Sequence, residues 1–233
     1  MNFRPMHGSR KAEMVGASAI DYSLYLVTDR KLSLGRSNLE VIEAALDGGV
    51  TVVQLREKEL GSRDFYLEAS RIGGLLRGRH IPLIINDRID IALAVDADGV
   101  HIGQEDIPLE LARRILGPDK IIGVSVFTPD EARAAEEGGA DYLGLSPIFV
   151  TSTKPELIKQ IGIEGIAPIR TAVKIPLVGI GSMNASNAFD AISAGLDGLA
   201  VVSGIVSQKD ITAAARAIKA EVMRAKGLFL DGV

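Results

Sequence analysis

Short apolar runs closed by polar residues recur along the chain, and between them apolar residues fall three and four apart. The first pattern is that of buried parallel strands and the second that of amphipathic helices. The strand runs are Leu24 to Asp29, Val50 to Arg56, the run from Leu83 that ends in Asn86-Asp87, Gly99 to Gly103, Ile121 to Val126, Asp141 to Leu145, Pro176 to Ile180 and Gly198 to Val202. Helices are expected over Asn38 to Asp47, Ser62 to Leu76, Ile89 to Ala94, Pro108 to Leu116, Pro129 to Glu137, near Glu164 to Val173, over Ala185 to Ala194 and over Ile211 to Lys226. Asn38 is the expected cap of the first helix and Gly48-Gly49 its stop.

Eight strands alternating with eight helices predict an α/β fold, a single (β/α)8 TIM barrel. A faint internal repeat agrees. A helix end, a small residue and a strand start recur at Gly49-Val50-Thr51, Ala97-Asp98-Gly99, Ala140-Asp141-Tyr142 and Leu196-Asp197-Gly198, at steps of 48, 43 and 56 residues. Each step is about two βα units, a quarter of such a barrel. The rival, an open doubly wound sheet, lacks its Gly-x-Gly-x-x-Gly after the first strand. The barrel is expected to span residues 21–227, after a poorly ordered leader at 1–20 and before a tail at 228–233.

Barrel active sites gather at the C-terminal ends of the strands. The third and fourth strands end in Asp87 and Asp106, 19 positions apart yet on one rim, and two such carboxylates suit a hard cation such as Mg2+. They also have plainer uses: Asp106 precedes Ile107-Pro108 and suits a helix cap, and Asp87 suits a pair with Arg88. Strand alternation puts Gln54, Arg56 and Lys58 on one face. Ser125 closes the fifth strand, and Thr151-Ser152-Thr153-Lys154 follows the sixth. Gly181-Ser182 and Val202-Ser203-Gly204 follow the seventh and eighth, the usual place of a phosphate cradle in this fold. Ser182 is expected at negative φ with its N–H aimed at phosphate. His101 is expected to pack rather than to catalyse.

Composition narrows the chemistry. Of 233 residues 47% are hydrophobic and only 4% aromatic, so the core is aliphatic. Cysteine is absent, which excludes thiolate chemistry and disulfides. A net charge of -4 gives no support to nucleic-acid binding through bulk charge. No apolar run approaches the ~20 residues of a membrane-spanning helix, and no secretory signal is apparent, so a cytoplasmic location is expected.

Taken together, Tyr25-Leu26-Val27-Thr28-Asp29, Gln54-Leu55-Arg56-Glu57-Lys58, Ile85-Asn86-Asp87-Arg88, Gly99-Val100-His101-Ile102-Gly103-Gln104-Glu105-Asp106 and Thr151-Ser152-Thr153-Lys154 resemble the thiamine-phosphate synthase family, in order and register from about Tyr22 to Lys226. The resemblance implies a transferase of thiamine biosynthesis. Such an enzyme joins 4-amino-2-methyl-5-(diphosphooxymethyl)pyrimidine to a thiazole phosphate, giving thiamine phosphate and diphosphate. It implies that Gln54, Arg56, Lys58, Asn86, Ser125 and Lys154 hold the pyrimidine diphosphate, with Arg56, Lys58, Ser125 and Lys154 catalytic. It implies that Asp87 and Asp106 hold Mg2+, and that Thr151, Ser152, Thr153, Ser182, Val202 and Ser203 hold the thiazole phosphate. The partners so implied are small molecules, neither nucleic acid nor membrane, with a homodimer left open. The chain departs from the family's pattern at Ser146, Val150 and Ser182, and Phe127 stands where many members have His. The alternatives are a thiazole tautomerase-like paralogue and a non-catalytic phosphate-ligand sensor on the same barrel.

Overall fold

In the computed structural model, which describes residues 20–149 and 160–227, eight parallel strands close into a barrel in sequence order. The strands are β1 (Leu24–Val27), β2 (Val52–Leu55), β3 (Leu83–Asn86), β4 (Gly99–Ile102), β5 (Ile121–Val126), β6 (Tyr142–Leu145), β7 (Leu177–Ile180) and β8 (Gly198–Val201). Around them run α1 (Asn38–Asp47), α2 (Ser62–Gly78), α3 (Ile89–Ala94), α4 (Leu109–Leu116), α5 (Pro129–Glu137), α6 (Ile166–Ala172), α7 (Ala188–Ser193), α8 (Ser203–Val206) and α9 (Ile211–Ala225). All eight expected strands are present. The helices exceed the expected eight by one single turn, α8, which opens directly after β8. None of the helices among the described residues is long and apolar enough to cross a membrane.

Two apolar layers follow from strand alternation. Val53, Leu55, Leu83, Ile85, Val100, Ile122 and Leu143 face outward into the main core beneath the helices. Tyr25, Val27, Val52, Ile84, Ile121, Tyr142, Val178 and Ala200 form a smaller interior cluster. The cap of the first helix lies one residue earlier than expected. Ser37, not Asn38, is the N-cap, and it forms a capping box with Glu40. Asn38 is instead buried and donates from Nδ2 to Glu57 Oε1 at 2.5 Å and to Glu68 Oε1 at 3.2 Å. Glu57 is thus drawn outward, which leaves its neighbours Arg56 and Lys58 for the rim.

The internal repeat has a structural meaning. A polar side chain just before each even-numbered strand accepts a backbone N–H at the start of the preceding odd-numbered strand. Thr51 Oγ1 accepts from Leu24 N at 3.1 Å, Asp98 Oδ2 from Leu83 N at 2.8 Å, Asp141 Oδ2 from Ile122 N at 2.9 Å and Asp197 Oδ2 from Leu177 N at 2.8 Å. In each case the backbone N–H of the capping residue returns a bond to the carbonyl of the residue it caps. Four quarter-barrels are therefore each closed at the N-terminal rim by a reciprocal pair of bonds.

Removing one cap leaves a largely dehydrated N–H unpaired. Asp98→Ala is expected to lower stability by about 1–3 kcal/mol, and Asp98→Asn, which keeps an acceptor, by less. Denaturant midpoints at unchanged m-value check this; equal midpoints for Asp98→Ala and the unsubstituted chain would refute the role.

Candidate active site

The C-terminal ends of β2 to β5 and the loops after them carry half of the residues singled out by sequence: Gln54, Arg56, Lys58, Asn86, Asp87, Asp106 and Ser125. Gln54 lies inside the barrel, 5% exposed, and donates from Nε2 to Tyr25 Oη at 3.0 Å. Past the strand end, the Arg56 N–H is held by the fully buried Thr28 Oγ1 at 3.0 Å, and Arg56 Nη1 reaches Asp29 Oδ2 at 3.0 Å. Lys58 Nζ pairs with Asp87 Oδ2. Asn86 is level with His101 in the β3–β4 register.

The two carboxylates meet as strand order demands. Asp106 lies close enough to Asp87 for its charge to act on the Asp87 carboxyl. Burial, aided by the Asp106 charge, holds the Asp87 carboxyl above the ordinary carboxylate range, and Lys58 only partly opposes this. Asp87 sits at φ +59, a left-handed conformation that Asp and Asn tolerate better than other side chains, and its N–H donates to His101 O at 2.9 Å. The plainer roles are not those taken. Arg88 pairs with Asp90 rather than Asp87. Asp106 Oδ2 accepts from Gly103 N at 2.7 Å, while the N-cap of α4 is Pro108.

These two side chains fit a divalent cation. Both are hard oxygen donors, and they bring like charge together at a half-buried position. Among the described residues no group of three or more His, Cys, Asp or Glu assembles as a metal centre. A two-carboxylate set leaves the other positions to water or to a ligand's phosphate, the usual manner of Mg2+.

His101 and Ser125 complete the interior side of the site. His101 Nδ1 lies 2.9 Å from Tyr142 Oη, and Nε2 lies 3.0 Å from Ser125 Oγ. Burial lowers the imidazole pKa to about 4, against the opposing pull of Asp106, so the ring is neutral at neutral pH. The strands make room for these rings. A Cβ on Gly123 would fall 2.0 Å from the Tyr142 ring, and one on Gly144 would fall 2.8 Å from His101 Cε1. Sequence reasoning sets His101 aside as packing and gives Tyr25 and Tyr142 no site role; the signal that points to them is glycine on β5 and β6 at positions whose neighbours are large and polar.

On the opposite side, the loops after β7 and β8 touch. A Cβ on Gly204 would lie 2.3 Å from Met183 O. Ser182 and Ser203 therefore lie on neighbouring loops of the rim, with Val202 as the N-cap of α8. The backbone of Ser182 differs from expectation: its φ is +50, not negative. The cause lies in its carbonyl, which accepts from Asn184 Nδ2 at 3.1 Å and Asn187 Nδ2 at 3.0 Å and so fixes the turn. Thr151, Ser152, Thr153 and Lys154, together with Val150, lie outside the described residues, as do the expected leader up to residue 19 and the tail from residue 228.

A family model described as thiamine monophosphate synthase matches residues 24–205. The chain belongs to this family. The thiamine-phosphate synthase of Chloroflexus aurantiacus is 53% identical over 206 residues, covering 88% of this chain and 95% of that protein. That of Moorella thermoacetica is 52% identical over 206 residues, covering 88% and 98%. Among solved structures, thiamine phosphate pyrophosphorylase from Pyrococcus furiosus superposes with a TM-score of 0.81 at 38% identity, covering 88% of this chain and 98% of that one.

The Ser182 backbone gives a direct test. A left-handed φ costs a residue with a Cβ about 1–2 kcal/mol, most for β-branched side chains. Ser182→Gly should hold or raise the denaturation midpoint, and Ser182→Val should lower it. A Val variant as stable as the Gly variant would contradict φ +50 at this position.

Proposed function

We propose that the chain is a thiamine-phosphate synthase that couples 4-amino-2-methyl-5-(diphosphooxymethyl)pyrimidine with a thiazole phosphate, releasing diphosphate. The observation that carries this reading is the convergence of Gln54, Arg56, Lys58, Asp87, Asp106 and Ser125 on one rim, in a chain 53% identical over 88% of its length to a protein of that name. The two anionic subsites divide between opposite sides of the barrel mouth. The β2–β5 side, with its cations and paired carboxylates, suits the diphosphate. The β7–β8 wall, with its backbone turn at Ser182 and Ser203, suits the single phosphate.

The chemistry asks for electrostatics rather than a nucleophile. The methylene C–O bond breaks, the electron pair leaves with diphosphate, and the aminopyrimidine ring delocalises the cation that develops. The thiazole nitrogen then forms the new C–N bond. Arg56, Lys58 and Lys154 stabilise the departing charge, and Gln54 and Asn86 orient the pyrimidine. Asp87 and Asp106 would hold Mg2+, which supplies neutralising charge beside the leaving diphosphate. Thr151, Ser152, Thr153, Ser182, Val202 and Ser203 would hold the thiazole phosphate.

The test is the appearance of thiamine phosphate and diphosphate from both substrates with Mg2+. Isomerisation of the thiazole alone would favour the tautomerase-like paralogue, and binding without turnover the sensor. Asp87→Asn and Asp106→Asn are expected to cut turnover by roughly 100-fold or more, while stability moves by less than about 1 kcal/mol, because Asn also tolerates the left-handed backbone of Asp87. Full activity in excess chelator would remove Mg2+ from the account. Lys154→Met is expected to raise the barrier by about 3 kcal/mol and leave thiazole phosphate affinity unchanged. Equal weakening of both ligands in binding titrations would place Lys154 elsewhere.

A further inference from the structure

Five side chains form one unbroken line of hydrogen bonds through the barrel interior, and that line ends at the site. Gln54 Nε2 donates to Tyr25 Oη at 3.0 Å; Tyr25 Oη and Tyr142 Oη are 2.7 Å apart; Tyr142 Oη is 2.9 Å from His101 Nδ1; His101 Nε2 is 3.0 Å from Ser125 Oγ. The residues come from β2, β1, β6, β4 and β5, so the line joins the two sides of the diphosphate subsite across the axis.

Donor and acceptor roles along this line follow from its first member. An amide nitrogen only donates, so the Tyr25 oxygen accepts. Tyr25 is 1% exposed, and its own proton needs an acceptor, which is the Tyr142 oxygen. The Tyr142 proton is then left for His101 Nδ1. A neutral imidazole that accepts at Nδ1 carries its proton on Nε2, and that N–H points at Ser125 Oγ. With its oxygen already accepting, Ser125 turns its own proton outward, toward the site.

We infer that His101 is a positioning residue for the coupling reaction: the Gln54–Tyr25–Tyr142 line holds it as the Nε2–H tautomer, and this makes the Ser125 hydroxyl a donor to the bound pyrimidine diphosphate. The inference rests on the functional reading above. Polarity is the point of the arrangement. A carboxamide turned end for end at Gln54 reverses every bond, so that Ser125 donates inward and meets the anionic substrate with a lone pair. Gly123 and Gly144, the positions that admit the Tyr142 and His101 rings, show that the strands are built around this line and not merely filled by it.

The experiment has a spectroscopic and a kinetic arm. In protein labelled with 15N-histidine, the three histidines are separated by comparison with a His101→Gln variant, and the ring nitrogen shifts of His101 report its tautomer. The Nε2–H form is expected; an Nδ1–H form, or an averaged ring, overturns the proposal. This arm uses no substrate, so it holds or fails whether or not coupling occurs, whereas a native chain that couples nothing overturns the functional reading. In the kinetic arm, His101→Met, which lacks a donor, is expected to lower kcat/KM for the pyrimidine diphosphate by about 10-fold, and His101→Gln, which keeps one near the Nε2 position, to recover most of it. The thiazole phosphate KM should stay within roughly twofold in both. Equal losses in the two variants, or losses shared by both substrates, overturn the proposal.

Discussion

A closed parallel barrel has no edge strand, so the starts of its strands must find hydrogen-bond partners within the ring. Here Thr51, Asp98, Asp141 and Asp197 meet that demand at β1, β3, β5 and β7. Two of these acids are themselves held: Arg113 pairs with Asp141 and Arg170 with Asp197. The N-terminal rim is thereby committed to structure. The C-terminal rim, freed from that duty, carries charged side chains that pair with one another, as Arg56 does with Asp29 and Lys58 with Asp87.

Between the two rims, the interior is not uniformly apolar. Val52, Ile84, Ile121 and Val178 fill much of it, but Tyr25, Tyr142, Gln54 and His101 thread a polar path through the same space. Tyr22 and Tyr142 also pack ring against ring, centroids 4.9 Å apart and planes tilted by 36°. The low polarity around these hydroxyls strengthens each bond and raises the cost of breaking any one. Burial accordingly drives the Tyr25 and Tyr142 hydroxyls far above the ordinary phenol range, so both remain protonated donors.

Much of this architecture is legible in the residues alone. Helix limits at Asn38–Asp47, Ile89–Ala94 and Pro129–Glu137 follow directly from apolar spacing, with Gly48 closing the first and Pro129 and Gly138 bounding the last. The alternation Gln54, Arg56, Lys58 correctly separates Glu57, which turns outward to Asn38 and Arg30. What escapes is whatever depends on residues opposite one another across the barrel. Tyr25 and Tyr142 are 117 positions apart, and periodicity along one strand carries no information about which ring it will face. The left-handed backbone of Ser182 escapes for a related reason. It is imposed by two asparagines that follow it, Asn184 and Asn187, and not by the residue's own preference. The cap at Ser37 is a different kind of miss, a purely local one, since Ser-x-x-Glu is a recognisable capping box.

The pairing of Arg56 with Asp29 and of Lys58 with Asp87 changes what those cations are worth. Neither stands as a bare charge awaiting an anion; each already has a resident counter-ion from a neighbouring strand end. An incoming polyanion therefore performs an exchange, taking a cation from one carboxylate and leaving that carboxylate to be satisfied in turn. The attraction gained is a difference between two ion pairs, smaller than a count of positive side chains implies. At Asp29 the backbone N–H groups of Lys31 and Leu32 already solvate the abandoned carboxylate. Among the described residues no backbone N–H cushions the Asp87 carboxylate in this way, so releasing Lys58 leaves it beside Asp106. On the proposed function, a ligand that brings its own positive charge would meet that demand better than one that arrives without it.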